Sequence, residues 1–297
     1  MHYNQLQLTD RKLFDSYLLP RDPRLAAYAF EAIFMWRPLY EIFWVMIREN
    51  LCVFFKDAVG CFLFLPPLGT CHKEYAVEES FTIMKRFNRN SLVSRIENIP
   101  EEEREWYGAC GYEVRQAGVD YVCRRSDIAQ LKGKAYKKKR ASADFFHRHY
   151  DFEFRPYCSG DKEECCLLFE SWIKGRKEKY GDRVYRQLLE DNFAAFKTVA
   201  EHYESLRFCG YVIRVKNELK AFTMGYPLGA QYFVVAFEIC DLSVRGIAPF
   251  IFREFCSRLD CNNINIMDDC GLENLRCVKD SYRPYRKERI YIARCHE

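Results

Sequence analysis

The 297-residue sequence holds fifteen cysteines yet lacks any Cys-x-x-C pair. It also lacks cysteine and histidine pairs at finger-like spacing, so no metal site is expected. The cysteine count is odd, and Cys165 and Cys166 are adjacent. The thiols are expected to be reduced and to serve as small apolar side chains. Charge of one sign is scarce: 46 Lys and Arg against 42 Asp and Glu leave +4. That sum is too small to mark the whole chain as a nucleic-acid binder. The opening twenty residues lack a basic start followed by an apolar run, so no secretory leader is expected. The uncharged stretch 58–72 is broken by Gly60, Pro66, Pro67 and Gly69 and is too short to cross a bilayer. We therefore expect a cytoplasmic protein without an integral membrane segment. A nucleophile elbow, a Walker loop and a dinucleotide glycine fingerprint are all missing.

What is present is apolar and aromatic. Hydrophobic residues make up 49% and charged residues 30%, with 24 Phe, 20 Tyr and 4 Trp. This composition supports packed cores and excludes disorder. In the second half, 152–156 reads as a strand, and Asp161 stands where it would cap a helix carrying Cys165, Leu168, Phe169 and Trp172. A second helix carries Tyr185, Leu189, Phe193, Phe196, Val199 and Tyr203. Strands over 208–215, 219–226 and 231–238 predict an antiparallel meander. A helix around Ile247–Leu259, a strand over 263–267, a helix over 272–282 and a strand over 285–293 complete the half. The first half repeats this order more faintly: strands at 6–8, 40–47, 51–56, 61–65 and 92–96, helices at 9–17, 25–34, 74–87 and 100–107, and strands at 112–115 and 120–124. The aromatic cluster Phe30, Phe34, Trp36, Tyr40, Phe43 and Trp44 is expected to fill the first core. The acidic run 101–103 suits the positive end of a helix. The fold class is α/β with mixed sheets, divided into 1–125, a connecting helix over 126–150, and 151–297.

The sharpest local feature is 124–140, RRSDIAQLKGKAYKKKR, with eight basic residues and Asp127 as its one acid. Ile128, Leu131 and Ala135 give a thin apolar stripe, continued by Phe145, which predicts one helix docked by an edge. Lys132, Lys134, Lys137, Lys138, Lys139 and Arg140 crowd about two turns. Like charges so placed destabilise an isolated helix by roughly a few tenths of a kcal/mol per pair. A polyanion would offset that repulsion by counterion release; the alternative is a solvated helix between domains. His147 and His149 read either as phosphate contacts or a relay, or as exposed helix-end histidines.

Three stretches carry a resemblance: 131–140 (LKGKAYKKKR), 221–241 (AFTMGYPL with FVVAFEICD) and 264–284 (INIMDDCGLENLRCVKDSYRP). Over nearly its whole length the sequence resembles the bacterial domain-of-unknown-function family classed with the C-terminal domain of phosphatidylglycerol lysyltransferase. The resemblance implies a tandem duplicated acyl-CoA N-acyltransferase (GCN5-related) fold, whose β-α-α-β-β-β-α-β-α-β order matches each half. It also implies kinship with enzymes that move an aminoacyl group from charged tRNA to an amine or hydroxyl. The run 132–140 is where tRNA contacts would fall. The lysyltransferases of known activity carry a membrane-embedded domain that this sequence does not show. The acetyltransferase pyrophosphate loop would fall at LSVRGIAPF, 242–250, where Arg245 and Gly246 stand without the usual glycine spacing. A helix N-terminus there would still offer free N–H groups to phosphate.

Aminoacyl transfer from an ester needs orientation, deprotonation of the acceptor and stabilisation of an oxyanion. No cofactor is required; aminoacyl-tRNA is the donor, with acyl-CoA as the alternative. Glu238 or Asp269 is expected to bind the acceptor amine and take its proton, with Asp268 beside them. Arg276 or Lys279 would orient the donor or stabilise the oxyanion, and Tyr282 would donate a hydrogen bond. These three follow at spacings of three on one expected helix. The structural alternatives are a Glu238–Arg245 ion pair, Asp268 or Asp269 as a helix cap, and Arg276 and Lys279 on a solvated face. The acceptor is expected to be a small molecule or peptide, and the sequence leaves the oligomeric state open. Two rival functions remain: a CoA-dependent N-acyltransferase and a non-enzymatic RNA-binding or interaction protein.

Overall fold

Two stretches of chain, 2–120 and 287–296, make one compact unit of the computed structural model, and 121–286 make the other. Residues 2–296 are described. The first unit runs β1 (Asn4–Gln5), α1 (Arg11–Leu18), α2 (Phe30–Phe34), β2 (Glu41–Ile47), β3 (Asn50–Lys56), β4 (Cys61–Leu63), α3 (Lys73–Phe87), β5 (Ile96–Pro100), α4 (Arg104–Ala109) and β6 (Tyr112–Arg124). The apolar strands β2, β3 and β4 form an antiparallel meander, and α3 carries the chain over to β5, which lies parallel to β4. The C-terminal strand, Arg286–Cys295, then pairs antiparallel with β5. Phe14, Phe30, Phe34 and Phe54 are fully buried here. Each such side chain contributes about 1.5–3 kcal/mol by leaving water.

The second unit takes the last four residues of β6 and adds α5 (Arg125–Gln130), α6 (Lys137–His149), β7 (Phe152–Pro156), α7 (Lys162–Lys179), α8 (Arg183–Glu201), β8 (Cys209–Val215), β9 (Glu218–Leu228), β10 (Tyr232–Cys240), α9 (Ile247–Arg258), β11 (Asn263–Asn265) and α10 (Glu273–Asp280). Its strands lie in the order β6-β11-β10-β9-β8-β7. The 3.6-residue spacing of α8 buries Tyr185, Leu189, Phe196 and Val199, and Asp182 caps it by accepting from the Tyr185 N–H at 2.7 Å. Helix α9 crosses from β10 to the parallel strand β11, as α3 does in the first unit. Both units thus build a meander, a crossover helix and a parallel strand in the same order.

Several expectations change. The expected boundaries place 287–297 with the second half, whereas the described residues 287–296 pair into the first unit. The expected helix over 25–34 is helical only at Phe30–Phe34, because Ala29 is extended (φ −134°, ψ 148°); ahead of it the Ala26 N–H donates to the Asp120 carboxylate at 2.6 Å. The expected strand over 92–96 begins at Ile96; a short 3-10 turn precedes it, in which Asn90 accepts from the Leu92 N–H. The segment 112–124 is one strand, not two. The single helix expected across 124–140 is two helices, α5 and α6. The break falls where Leu131 takes a left-handed conformation (φ 47°), and the Arg140 guanidinium donates to the carbonyls of Leu131 and Gly133.

Candidate active site

Strands β10 and β11 are paired over only three residues, from Tyr232 with Asn263 to Val234 with Asn265. Beyond that point they part. β10 runs on to Cys240, with a bulge between Val235 and Phe237 in its pairing to β9. A side chain at Gly225 would lie 1.9 Å from the Val234 carbonyl oxygen, so only glycine lets β9 follow this course. The chain after β11 turns through Met267 and Cys270, both at positive φ. The Asn265 side chain helps to hold that turn by accepting from the Met267 N–H at 2.7 Å. Glu238 lies on β10 past the parting, and Asp268 and Asp269 lie on the other prong.

The two prongs carry carboxylates of opposite character. Asp269 is only 4% exposed and fully engaged. It accepts from the Tyr121 hydroxyl at 2.5 Å, the Arg276 Nε at 3.0 Å and the Gly271 N–H at 2.8 Å. Burial pushes its pKa up, but the Arg276, Tyr121 and Gly271 donors outweigh burial and hold the carboxyl below the usual range. Burial and the bond to Asp269 push Tyr121 up to about 12. Asp268 accepts from the Cys270 N–H at 2.7 Å. Glu238, partly buried, is engaged by no hydrogen bond and no ion pair within 4.0 Å among the described residues. Burial pushes it up to about 7, against the opposing fields of Lys139 and Lys279.

Around Glu238 stand two lysines and a tyrosine. Tyr282 is 7% exposed; its ring packs edge-on against Phe252 at 4.6 Å. Its carbonyl accepts from the Tyr136 hydroxyl at 2.9 Å and the Cys123 thiol at 3.7 Å. The Lys139 ammonium lies over that ring, 3.4 Å from its centroid. Burial pushes Lys139 down to about 8, opposed by Glu238 and Cys123. Lys279 donates to the Ile266 carbonyl. Burial, then the charge of Glu238, raises the Tyr282 phenol well above its ordinary value, so it stays a neutral donor. A near-neutral carboxylate, two amines and a phenol in one desolvated neighbourhood can bind an amine, move a proton and stabilise an oxyanion.

A family model described as "Phosphatidylglycerol lysyltransferase, C-terminal" matches residues 22–294. The chain belongs to that family. No curated protein matches it. Among solved structures, a conserved protein of unknown function from Bacteroides thetaiotaomicron aligns with a TM-score of 0.88 and 24% identity, covering 99% of each chain. The structure of L-PGS from Bacillus licheniformis aligns at 0.67 and 14%, covering 98% of this chain and 93% of that one. A tandem GNAT protein from the clavulanic acid biosynthesis pathway aligns at 0.54 and 9%, covering 100% and 99%. The fold is the tandem GCN5-related acyltransferase duplication, and the chain is acyltransferase-like in family and architecture.

In this family member the structure brings Glu238, Lys279 and Tyr282 together and sets Asp269 with Arg276 as an ion pair. Tyr282 lies beyond α10, not on it. Arg276 is exposed apart from its bond to Asp269. Arg245 makes no pair with Glu238; its guanidinium lies 4.2 Å from the Phe145 ring centroid. Gly246 caps α9 at φ +87°, and a Cβ there would meet the Ser142 carbonyl oxygen at 2.1 Å. Its glycine therefore serves close packing on α6. Lys132, Lys134, Lys137 and Lys138 are exposed, whereas Lys139 and Arg140 are partly buried. His149 stacks on Phe145 at 4.0 Å, and His147 lines a groove of about 730 Å³ with Phe152, Phe154 and Phe250. Sequence reasoning missed Tyr121, Tyr136 and the inward turn of Lys139. One signal was available: Lys139 falls three residues after buried Tyr136 and four before buried Ala143, on one helical stripe.

Proposed function

We propose that the chain transfers an aminoacyl group from aminoacyl-tRNA to an amine or hydroxyl acceptor, with Glu238 as the base that takes the acceptor's proton. The observation that carries this reading is the unpartnered carboxylate of Glu238, pushed up to about 7 beside two lysines and the Tyr282 phenol. A general base works best with a pKa near the operating pH. Asp269, ionised and saturated with donors, acts as the anchor that orients Arg276. The Lys279 ammonium and the Tyr282 hydroxyl are the candidate oxyanion donors. The exposed lysines 132, 134, 137 and 138 supply phosphate contacts for the tRNA. The family's description names a lysyl transfer to a lipid, which makes lysyl-tRNA the first donor to try. Among the described residues no helix is long and apolar enough to cross a membrane.

The acyl-CoA alternative is weaker, because the 242–250 segment lacks the pyrophosphate glycines and α6 backbone closes on Gly246. The test is incubation with a mixed pool of radiolabelled aminoacyl-tRNAs and cell extract, following where label moves. Transfer that disappears in Glu238→Gln supports the reading. Thermal stabilisation by acetyl-CoA and not by tRNA, with no movement of label, refutes it.

A further inference from the structure

We propose that Lys139 is a catalytic acid of this site, partnered with Glu238 beside the Tyr282 ring, and that it protonates the ribose oxygen as the aminoacyl ester breaks. This rests on the aminoacyl-transfer reading above.

The geometry sets Lys139 apart from its neighbours in the basic run. Lys132, Lys134, Lys137 and Lys138 face solvent, while Lys139 shares a stripe with buried Tyr136, Ala143 and Phe146. Its position is fixed from both sides. The Tyr136 hydroxyl ties the start of α6 to the Tyr282 carbonyl, and the Arg140 guanidinium ties the next residue to the carbonyls of Leu131 and Gly133. Between these tethers the ammonium stands on the Tyr282 ring at 3.4 Å. It makes no hydrogen bond and no ion pair within 4.0 Å among the described residues, although Glu238 acts on it electrostatically. Two opposite, desolvated charges thus act on each other without forming an ion pair, so neither is consumed by the other.

The groups that face Lys139 are few. Glu238 comes from β10, Cys123 from β6 and Tyr282 from the turn after α10; Lys279 on α10 acts on Glu238 in turn. The Cys123 thiol is pushed up to about 12 by burial, so Glu238 is the facing group that ionises near neutrality.

The step balances without any further reactant. The acceptor nitrogen bonds to the ester carbonyl carbon and the carbon–oxygen bond to the ribose breaks. The acceptor's proton passes to Glu238, and the ribose oxygen takes one from Lys139. Return of the Glu238 proton to the Lys139 amine restores both groups.

The experiment follows single-turnover transfer from the mixed aminoacyl-tRNA pool to cell extract between pH 6 and 9.5, alongside trace acetylation of each lysine, which does not depend on turnover. Wild type is expected to give a bell-shaped profile, and Lys139 to acetylate with a midpoint near pH 8. That midpoint should fall in Glu238→Gln, which removes the charge that raises it. Lys139→Arg and Lys139→Met are expected to transfer about 100-fold more slowly and to lose the alkaline limb. An alkaline limb retained at near wild-type rate in Lys139→Arg overturns the acid assignment alone. So does a Lys139 midpoint above pH 10 that Glu238→Gln leaves unmoved. A wild-type chain that moves no label overturns the transfer reading and the acid with it.

Discussion

The ammonium of Lys139 is seated on the face of Tyr282, 3.4 Å from the ring centroid. A cation over a ring in a desolvated setting contributes about 1–2 kcal/mol. Tyr282→Phe keeps the ring, so its stability should stay within about 0.5 kcal/mol of wild type. Tyr282→Leu removes both the cation's seat and the edge-on packing with Phe252, and should cost about 1–3 kcal/mol. Urea unfolding of the two variants checks the difference; equal destabilisation would show that the ring face contributes nothing.

Glu238 sets function against stability. Its pKa is raised in the folded state, so the ionised form is the disfavoured one. Wild-type stability should fall as pH climbs from about 4.5 to about 7, and stay lower above that. Glu238→Gln removes the penalty. It should match wild type near pH 4 and exceed it at pH 8 by about 1–3 kcal/mol, while transfer falls about 100-fold or more. Denaturation curves at the two pH values, with the label assay, read both effects.

Asp269 has the opposite sign. Its pKa is depressed, so its contribution is present above the unfolded value near 4 and is lost as pH falls through the folded one. Asp269→Asn should destabilise by about 1–3 kcal/mol at pH 7, because an amide cannot accept from Tyr121, Arg276 and Gly271 together. The deficit should shrink below about pH 4. The exposed Arg276 pair itself adds little, so Arg276→Met should cost less than Asp269→Asn.

The exposed lysines make a separable prediction. Replacing Lys132, Lys134, Lys137 and Lys138 with Ala should weaken tRNA binding. The slope of log K against log salt should become shallower by about 0.7–0.9 for each phosphate that the variant no longer neutralises. Fluorescence titration at three salt concentrations measures it. An unchanged slope would remove these residues from the interface.

Gly246→Ala tests the packing of α6 on α9. The left-handed backbone and the Ser142 carbonyl oxygen at 2.1 Å both oppose a side chain. A destabilisation of about 2 kcal/mol or more is expected, visible as a lower midpoint in thermal melting.

The strongly periodic parts of this chain were legible in its sequence. Strand β7 falls over 152–156 as expected, and the β8–β10 meander and helix α8 follow from alternation and from the Tyr185–Val199 stripe. Where a distant residue decides the backbone, local pattern fails. Asp120 holds the Ala26 N–H ahead of an extended Ala29, and Arg140 donates to the carbonyls of Leu131 and Gly133 in the break after α5. The stripe of Ile128, Leu131 and Ala135 extrapolates to Lys139, so the inward face of that lysine was readable even though the break into two helices was not. The residue types at the site could be chosen from sequence, but the contrast between a saturated Asp269 and an unpartnered Glu238 depends on Tyr121, remote in the chain.

The C-terminal strand pairs with β5, laid down almost two hundred residues earlier. The unit spanning 121–286 is contiguous in the chain and is complete without that strand. The unit begun first keeps an open sheet edge until that strand arrives. A chain truncated after residue 286 should therefore resist protease across its later portion while its earlier portion is still readily cut.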